Sequence, residues 1–181
     1  MTISAECLEQ KKQLHQDPGY GVSSLQYAPL VIQAADQINA KSISDYGAGK
    51  CNLQKKMNEL GRSNFQYYPY DPAFPEYGDP QAADLVCCID VLEHIEPDHL
   101  EAVLKDLERI TLNVGFLTIQ TGPAHPAFIV AEQVQLAVDD TPHIGVDITQ
   151  VAETHLVGAI PAIPGGEGVG GGVEPLAVGV G

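Results

Sequence analysis

The sequence predicts an α/β fold: a doubly wound sheet of mainly parallel strands, shortened or incomplete on its C-terminal side. Three observations predict it. Short apolar strands alternate with helical patterns over residues 41–124, as parallel strands joined by crossover helices require. Ala83 to Ile89 is a near-continuous apolar run, fitting a parallel strand covered on both faces. Asp45-Tyr46-Gly47-Ala48-Gly49 falls between a strand and a helix, where two glycines let a ligand approach bare backbone.

The elements follow in chain order. Residues 1–40 read as an N-terminal cap. Asp17-Pro18-Gly19-Tyr20-Gly21 is turn chemistry. Ser23 or Ser24 starts a helix with Leu30, Val31, Ala34, Ala35 and Ile38 on one face. Residues 41–124 form the ligand-binding core. Its first strand lies near 42–46, its first helix near 52–61 with Gly61 as C-cap, and its second strand near 65–70. Ala83 follows Asp71 by only 12 positions, which include Pro72, Pro75, Gly78 and Pro80, so no further helix and strand fit between them. In the strand near 83–89, Cys87 and Cys88 should point to opposite faces. Pro97 suits the first position of a helix whose apolar stripe is Leu100, Val103, Leu104, Leu107 and Ile110. A last core strand lies near 114–120.

Beyond residue 121 the composition changes. Residues 122–181 contain no Lys, Arg, Ser, Asn, Cys, Met, Tyr or Trp, and six of the eight residues from Gly165 to Gly172 are glycine. A helix is expected from Ala127 to Val138, and the sequence shows no evident strands to complete the sheet. The expected organisation is one domain over 1–160 and a Gly-rich, disordered tail over 161–181. A strand at 114–120 left uncovered on one side would favour self-association, so a homodimer is expected.

With 181 residues, 44% hydrophobic and 18% charged, the chain is globular in type. A net charge of −15 argues against a nucleic-acid partner, whose phosphates need a basic surface. No apolar run reaches membrane-spanning length. Glu6 and Glu9 precede any apolar stretch, which argues against a secretory signal. Cys7, Cys51, Cys87 and Cys88 show no disulfide pattern and no zinc-ligand spacing, so reduced thiols, a cytoplasmic location and no metal are expected.

The candidate site residues end strands or flank the glycine turn. Asp45 precedes Gly47 by two positions. Asp71 lies 24 positions after Gly47, close to where dinucleotide folds read a ribose hydroxyl. Asp90 ends the strand near 83–89, and His94 follows it as a candidate general base titrating near neutral pH. His15 and Tyr20 in the cap are further candidates to line the pocket.

The motif Asp45-Tyr46-Gly47-Ala48-Gly49, Asp71, the run Asp90-Val91-Leu92-Glu93-His94-Ile95, the helix after it and Gly115-Phe116-Leu117-Thr118-Ile119 together resemble the class I S-adenosylmethionine-dependent methyltransferases. The resemblance covers roughly residues 41–124. It implies a Rossmann-like fold with S-adenosylmethionine as cofactor and a small-molecule or protein group as methyl acceptor. Gly47 and Gly49 would admit the cofactor, Asp45 would face its amino-acid end, and Asp71 its ribose hydroxyls. Asp90 would stand at the crevice, and His94 would serve as catalytic base. The sequence departs from the family at Cys51, where a third glycine is usual, and in the missing helix–strand unit. Two alternatives are a degenerate, non-catalytic binding module and a nicotinamide-dependent oxidoreductase. For the latter, Asp45 would repel a pyrophosphate and the last glycine of the fingerprint is absent.

Overall fold

The computed structural model describes residues 3–120, 147–152 and 155–161, with side chains described through Ile119. Four strands, β1 (Ser42–Tyr46), β2 (Gln66–Tyr70), β3 (Ala83–Ile89) and β4 (Thr111–Gln120), run parallel. Two more, β5 (Asp147–Ala152) and β6 (His155–Pro161), make one sheet of order β2-β1-β3-β4-β6-β5. The predicted parallel α/β core is therefore present.

Strand alternation sends side chains to two cores. Ile43, Leu85, Cys87, Ile89 and Phe116 pack with the buried residues of α2 (Ser24–Gln37) and α3 (Asn52–Glu59). Tyr46, Val86, Cys88 and Leu117 pack under α4 (Pro97–Ile110). The two cysteines do face opposite sides, as the period of a strand dictates. Three alanines of α2, Ala28, Ala34 and Ala35, are buried together with Val31. Their small side chains keep the helix close to the sheet. On the other side Leu100, Val103, Leu107 and Ile110 of α4 are buried at the expected helical spacing. Each buried residue of this size contributes about 1.5–3 kcal/mol.

The N-terminal stretch divides in two. α2 belongs to the core, whereas α1 (Ala5–Leu14) is the true cap. The Ser4 hydroxyl accepts from the Cys7 amide at 3.1 Å, which starts α1, and the Ser4 amide donates to Glu96 at 2.9 Å, which ties it to the start of α4.

The shortening falls between β2 and β3. The connection 71–82 holds only a 3-10 turn, Pro75–Tyr77, so β2 is an edge strand. The Gln66 amide donates to the Lys41 carbonyl and the Tyr70 carbonyl accepts from Gly47, so even-numbered positions face β1. Pro69 therefore turns its missing N–H to the open side, which blunts that edge against pairing.

The C-terminal side corrects two expectations. β6 pairs antiparallel along β4, from Val114 opposite Pro161 to Gln120 opposite His155, and β5 pairs outside it. The sheet is not incomplete there, and the strand expected to present a bare edge is flanked on both sides. The argument for a homodimer from that edge falls with it. The reason lies in Ile148, Thr149, Val151, Val157 and Ile160, β-branched residues that outnumber the Ala and Gly of residues 147–161 and carry strand propensity. β4 also begins three residues earlier than expected. The Thr111 hydroxyl caps α4 by donating to the Leu107 carbonyl at 2.6 Å, and the backbone turns extended at once. The helix expected at 127–138 and the tail from 162 onward lie outside the described residues.

Candidate functional site

The chain leaves β1 toward β2 on one side and returns to β3 on the other, so the direction of winding switches between β1 and β3. Doubly wound sheets bind ligands in the crevice beyond the strand ends at such a point. A cavity of about 430 Å3 lies there. Its lining includes Asp45, Gly47, Gly49, Asp71, Asp90 and His94, so all six residues singled out in the sequence come together.

The glycine loop is held by β2, and its two glycines cannot carry side chains. The amides of Gly47 and Ala48 both donate to the Tyr70 carbonyl, at 2.7 and 3.0 Å. Gly47 has φ of 84°, and a Cβ on it would lie 2.3 Å from Val91 Cγ2. Gly49 has φ of 50°, and a Cβ there would lie 2.8 Å from His15 Cε1. Cys51, which stands where the methyltransferases the sequence resembles usually have a third glycine, keeps a left-handed backbone at φ 54° and ψ 39°. Its thiol donates to the Tyr77 hydroxyl at 3.4 Å, which donates to the Gly49 carbonyl at 3.0 Å. A cysteine in this conformation costs about 1 kcal/mol. Cys51→Gly is therefore expected to melt at or above the parent temperature, whereas Cys51→Val should lose about 1–2 kcal/mol. Identical melting of all three proteins would show that the loop does not hold this backbone.

Asp71 is buried and braces the loop. Its Oδ2 accepts from the Gly49 amide at 2.9 Å and its Oδ1 from the Ala73 amide at 2.8 Å. His15 Nε2 stands 3.8 Å from the same Oδ2. Asp45 is buried beneath the loop and accepts a hydrogen bond from the Tyr67 hydroxyl. Burial pushes its carboxyl up to about 7, opposed by the Tyr67 bond and reinforced by the charge of Asp71. Asp90 has φ of 53°. Thr118 fixes it: the Asp90 amide donates to the Thr118 carbonyl and hydroxyl, and that hydroxyl donates to Asp90 Oδ1 at 2.6 Å.

His94 closes the 3-10 turn Leu92–His94 after β3. Burial and the Lys11 charge push its imidazole down to about 4, with Asp90 acting in the opposite direction. The expectation of titration near neutral pH is thus corrected. The ring stays neutral at pH 7 and is a weak base.

The cap completes the site. His15 and Tyr20 line the cavity as expected, and the His15 ring packs edge-on against Tyr20 and Phe74 with centroids 5.0 and 4.9 Å apart. Lys50 donates to the carbonyls of Asp17 and Tyr20, and Asn52 to that of Gly21 at 2.9 Å. The cap turn is thereby pinned to the glycine loop. Sequence reasoning missed Lys11, Tyr67 and Thr118. A signal for Lys11 exists: Cys7, Lys11 and His15 recur every four residues along a helix capped by Ser4. Among the described residues, no group of three or more His, Cys, Asp or Glu is arranged to hold a metal ion, and no helix is long and apolar enough to cross a membrane.

No protein-family model and no curated protein matches the sequence. Solved structures do match. The N-methyltransferase NodS from Bradyrhizobium japonicum WM9, in complex with S-adenosylhomocysteine, is similar at 10% identity and a TM-score of 0.57, covering 86% of this chain and 98% of that one. The 1,6-didemethyltoxoflavin-N1-methyltransferase of Burkholderia thailandensis, with 1,6-didemethyltoxoflavin and S-adenosylhomocysteine bound, gives 14%, 0.57, and 87% of each chain. Magnesium protoporphyrin IX methyltransferase from Synechocystis PCC 6803, with S-adenosylhomocysteine, gives 12%, 0.51, and coverage of 87% and 95%. The chain has the Rossmann-like fold of the class I methyltransferases.

Proposed function

We propose that the chain transfers a methyl group from S-adenosylmethionine to a small-molecule or protein acceptor. One observation carries this reading: Asp45, Gly47, Gly49, Asp71, Asp90 and His94 all line a single cavity at the point where the sheet's winding reverses. The residues present suit the cofactor. The cavity is within the usual size of ligand sites. His15, which lines the cavity, has a buried Nδ1 with no hydrogen-bond partner among the described residues. The acids suit a ligand with an amine and hydroxyls, and they disfavour a nicotinamide dinucleotide, whose pyrophosphate they would repel. Nothing in the geometry favours the degenerate binding module. The solved structures named above, similar in fold, hold S-adenosylhomocysteine, which supports the same cofactor class here.

When bound, the cofactor supplies an electrophilic methyl group on a sulfonium. The chain's residues would bind and orient. Each Asp71 oxygen keeps a second lone pair after its amide bond, available to a ribose hydroxyl. Asp45 would face the cofactor's amine, and Asp90 would border the crevice. His94, neutral at pH 7, would accept a hydrogen bond from the methyl acceptor and aim it at the methyl carbon. Good orientation of this kind supplies about 7 kcal/mol or more. Such a weak base is better matched to an acceptor with a ready lone pair than to an alcohol that must first lose its proton. The preference for a small-molecule or protein acceptor over nucleic acid rests on the net charge of −15. The four free cysteines support a reducing, cytoplasmic setting.

S-adenosylhomocysteine is expected to raise the melting temperature by several degrees through binding to the native state, and NADH to leave it unchanged. A shift with NADH and none with S-adenosylhomocysteine would overturn the assignment.

A further inference from the structure

The cavity contains a cation that, among the described residues, has no carboxylate within ion-pair distance. Lys11 projects from α1 one turn before His15 and is the only Lys or Arg among the lining residues, in a chain with 9 basic and 24 acidic residues. Among the described residues its ammonium makes no ion pair and a single long hydrogen bond, 3.4 Å to the Tyr20 hydroxyl. An ammonium has three donors, so two have no protein acceptor there. Burial lowers its pKa despite the nearby Cys7, Asp71 and Glu93, and its charge lowers those of His15 and His94 in turn. Holding an unpaired cation in a partly buried site is costly unless a ligand completes it.

We propose that Lys11 and the Tyr20 hydroxyl form a carboxylate-binding site on the cap side of the cavity, filled by the amino-acid carboxylate of the cofactor or by a carboxylate of the methyl acceptor. The inference rests on the methyltransferase reading of the cavity. Tyr20 is held for this task, since Lys50 grips its carbonyl at 3.2 Å and Asn52 grips that of Gly21. Its hydroxyl accepts from Lys11 and keeps its own proton to donate. A singly charged anion fits better than a phosphate dianion, because Asp45, Asp71 and Asp90 line the same cavity and would repel a second charge.

The test compares the full chain with Lys11→Met and Lys11→Arg, with Lys11→Gln in reserve if the methionine variant does not fold. Without ligand, Lys11→Met should melt no lower than the parent, because it removes an uncompensated charge. Calorimetric titration then uses S-adenosylhomocysteine and its decarboxylated analogue, which keeps the amine. If the cofactor fills the site, Lys11→Met weakens S-adenosylhomocysteine at least tenfold, leaves the analogue unchanged, and Lys11→Arg recovers most of the loss. If the acceptor fills it, both nucleosides bind the variant as they bind the parent, but millimolar benzoate binds only the S-adenosylhomocysteine-loaded parent. Equal binding of S-adenosylhomocysteine to parent and variant, with no Lys11-dependent binding of benzoate, overturns the proposal. A parent that binds neither nucleoside refutes the methyltransferase reading instead. Benzoate titration of the unloaded protein then decides Lys11 by itself, with Lys11-dependent binding supporting the site and its absence overturning it.

Discussion

Asp71→Ala is expected to destabilise the fold and to abolish measurable cofactor binding together. The carboxylate accepts from the buried Gly49 amide and from the Ala73 amide, and no other residue takes its place. The orphaned buried Gly49 donor costs about 1–3 kcal/mol and the part-buried Ala73 donor less, so the total is roughly 2–4 kcal/mol. For a chain of this size that corresponds to a fall in Tm of about 10 °C. Cofactor affinity should fall by more than tenfold, because Gly49 is released from the geometry that admits the ligand and a ribose partner is lost as well. Read from sequence, Asp71 is a ribose contact beyond the second strand. The structure makes it a brace first. Thermal melts and calorimetry on the variant check this. A variant that melts like the parent but no longer binds S-adenosylhomocysteine would return Asp71 to a ligand role only, and one unchanged in both would remove it from the site.

The contrast shows what the sequence carries. The parallel core was legible because its signals are local: the apolar run at 83–89, the stripe from Leu100 to Ile110 and the two glycines each need a window of about a dozen residues or fewer. The six lining residues were legible for the same reason, since each ends a strand or flanks a turn. What each of them does was not, because its partner is distant in sequence. Asp45 and Tyr67 meet across 22 positions, as do Gly49 and Asp71. The imidazole of His94 is weakened by burial and by Lys11, which comes from the N-terminal cap helix α1. Cys51 broke a glycine pattern yet preserved the glycine backbone, which no residue-type rule reveals. On the C-terminal side, the Gly-rich composition toward the end of the chain concealed β5 and β6, although residues 147–161 hold more β-branched residues than Ala and Gly.

Asp45→Asn is expected to make the protein more stable and less able to bind its cofactor, with both effects depending on pH. The Asp45 carboxyl is buried and pushed up to about 7, against about 3.9 in an unfolded chain. Between those values the folded state binds the extra proton, so stability falls as pH rises from about 4 to 7 and levels off above. Three units correspond to roughly 4 kcal/mol at most. Asparagine keeps an acceptor for the Tyr67 hydroxyl and carries no charge, so the variant should lack this decline. It should gain little over the parent at pH 4.5 and the most at pH 8. Binding runs the other way. The cationic amine of the cofactor favours ionised Asp45, so affinity of the parent for S-adenosylhomocysteine should rise with pH up to about 7 and then flatten, while the variant binds weakly at every pH. Denaturant melts and calorimetric titrations at pH 4.5, 6, 7 and 8 separate the two effects. If the variant's stability tracks the parent's across that range, the buried acid is ionised throughout. If its affinity also matches the parent's, the amine is held elsewhere.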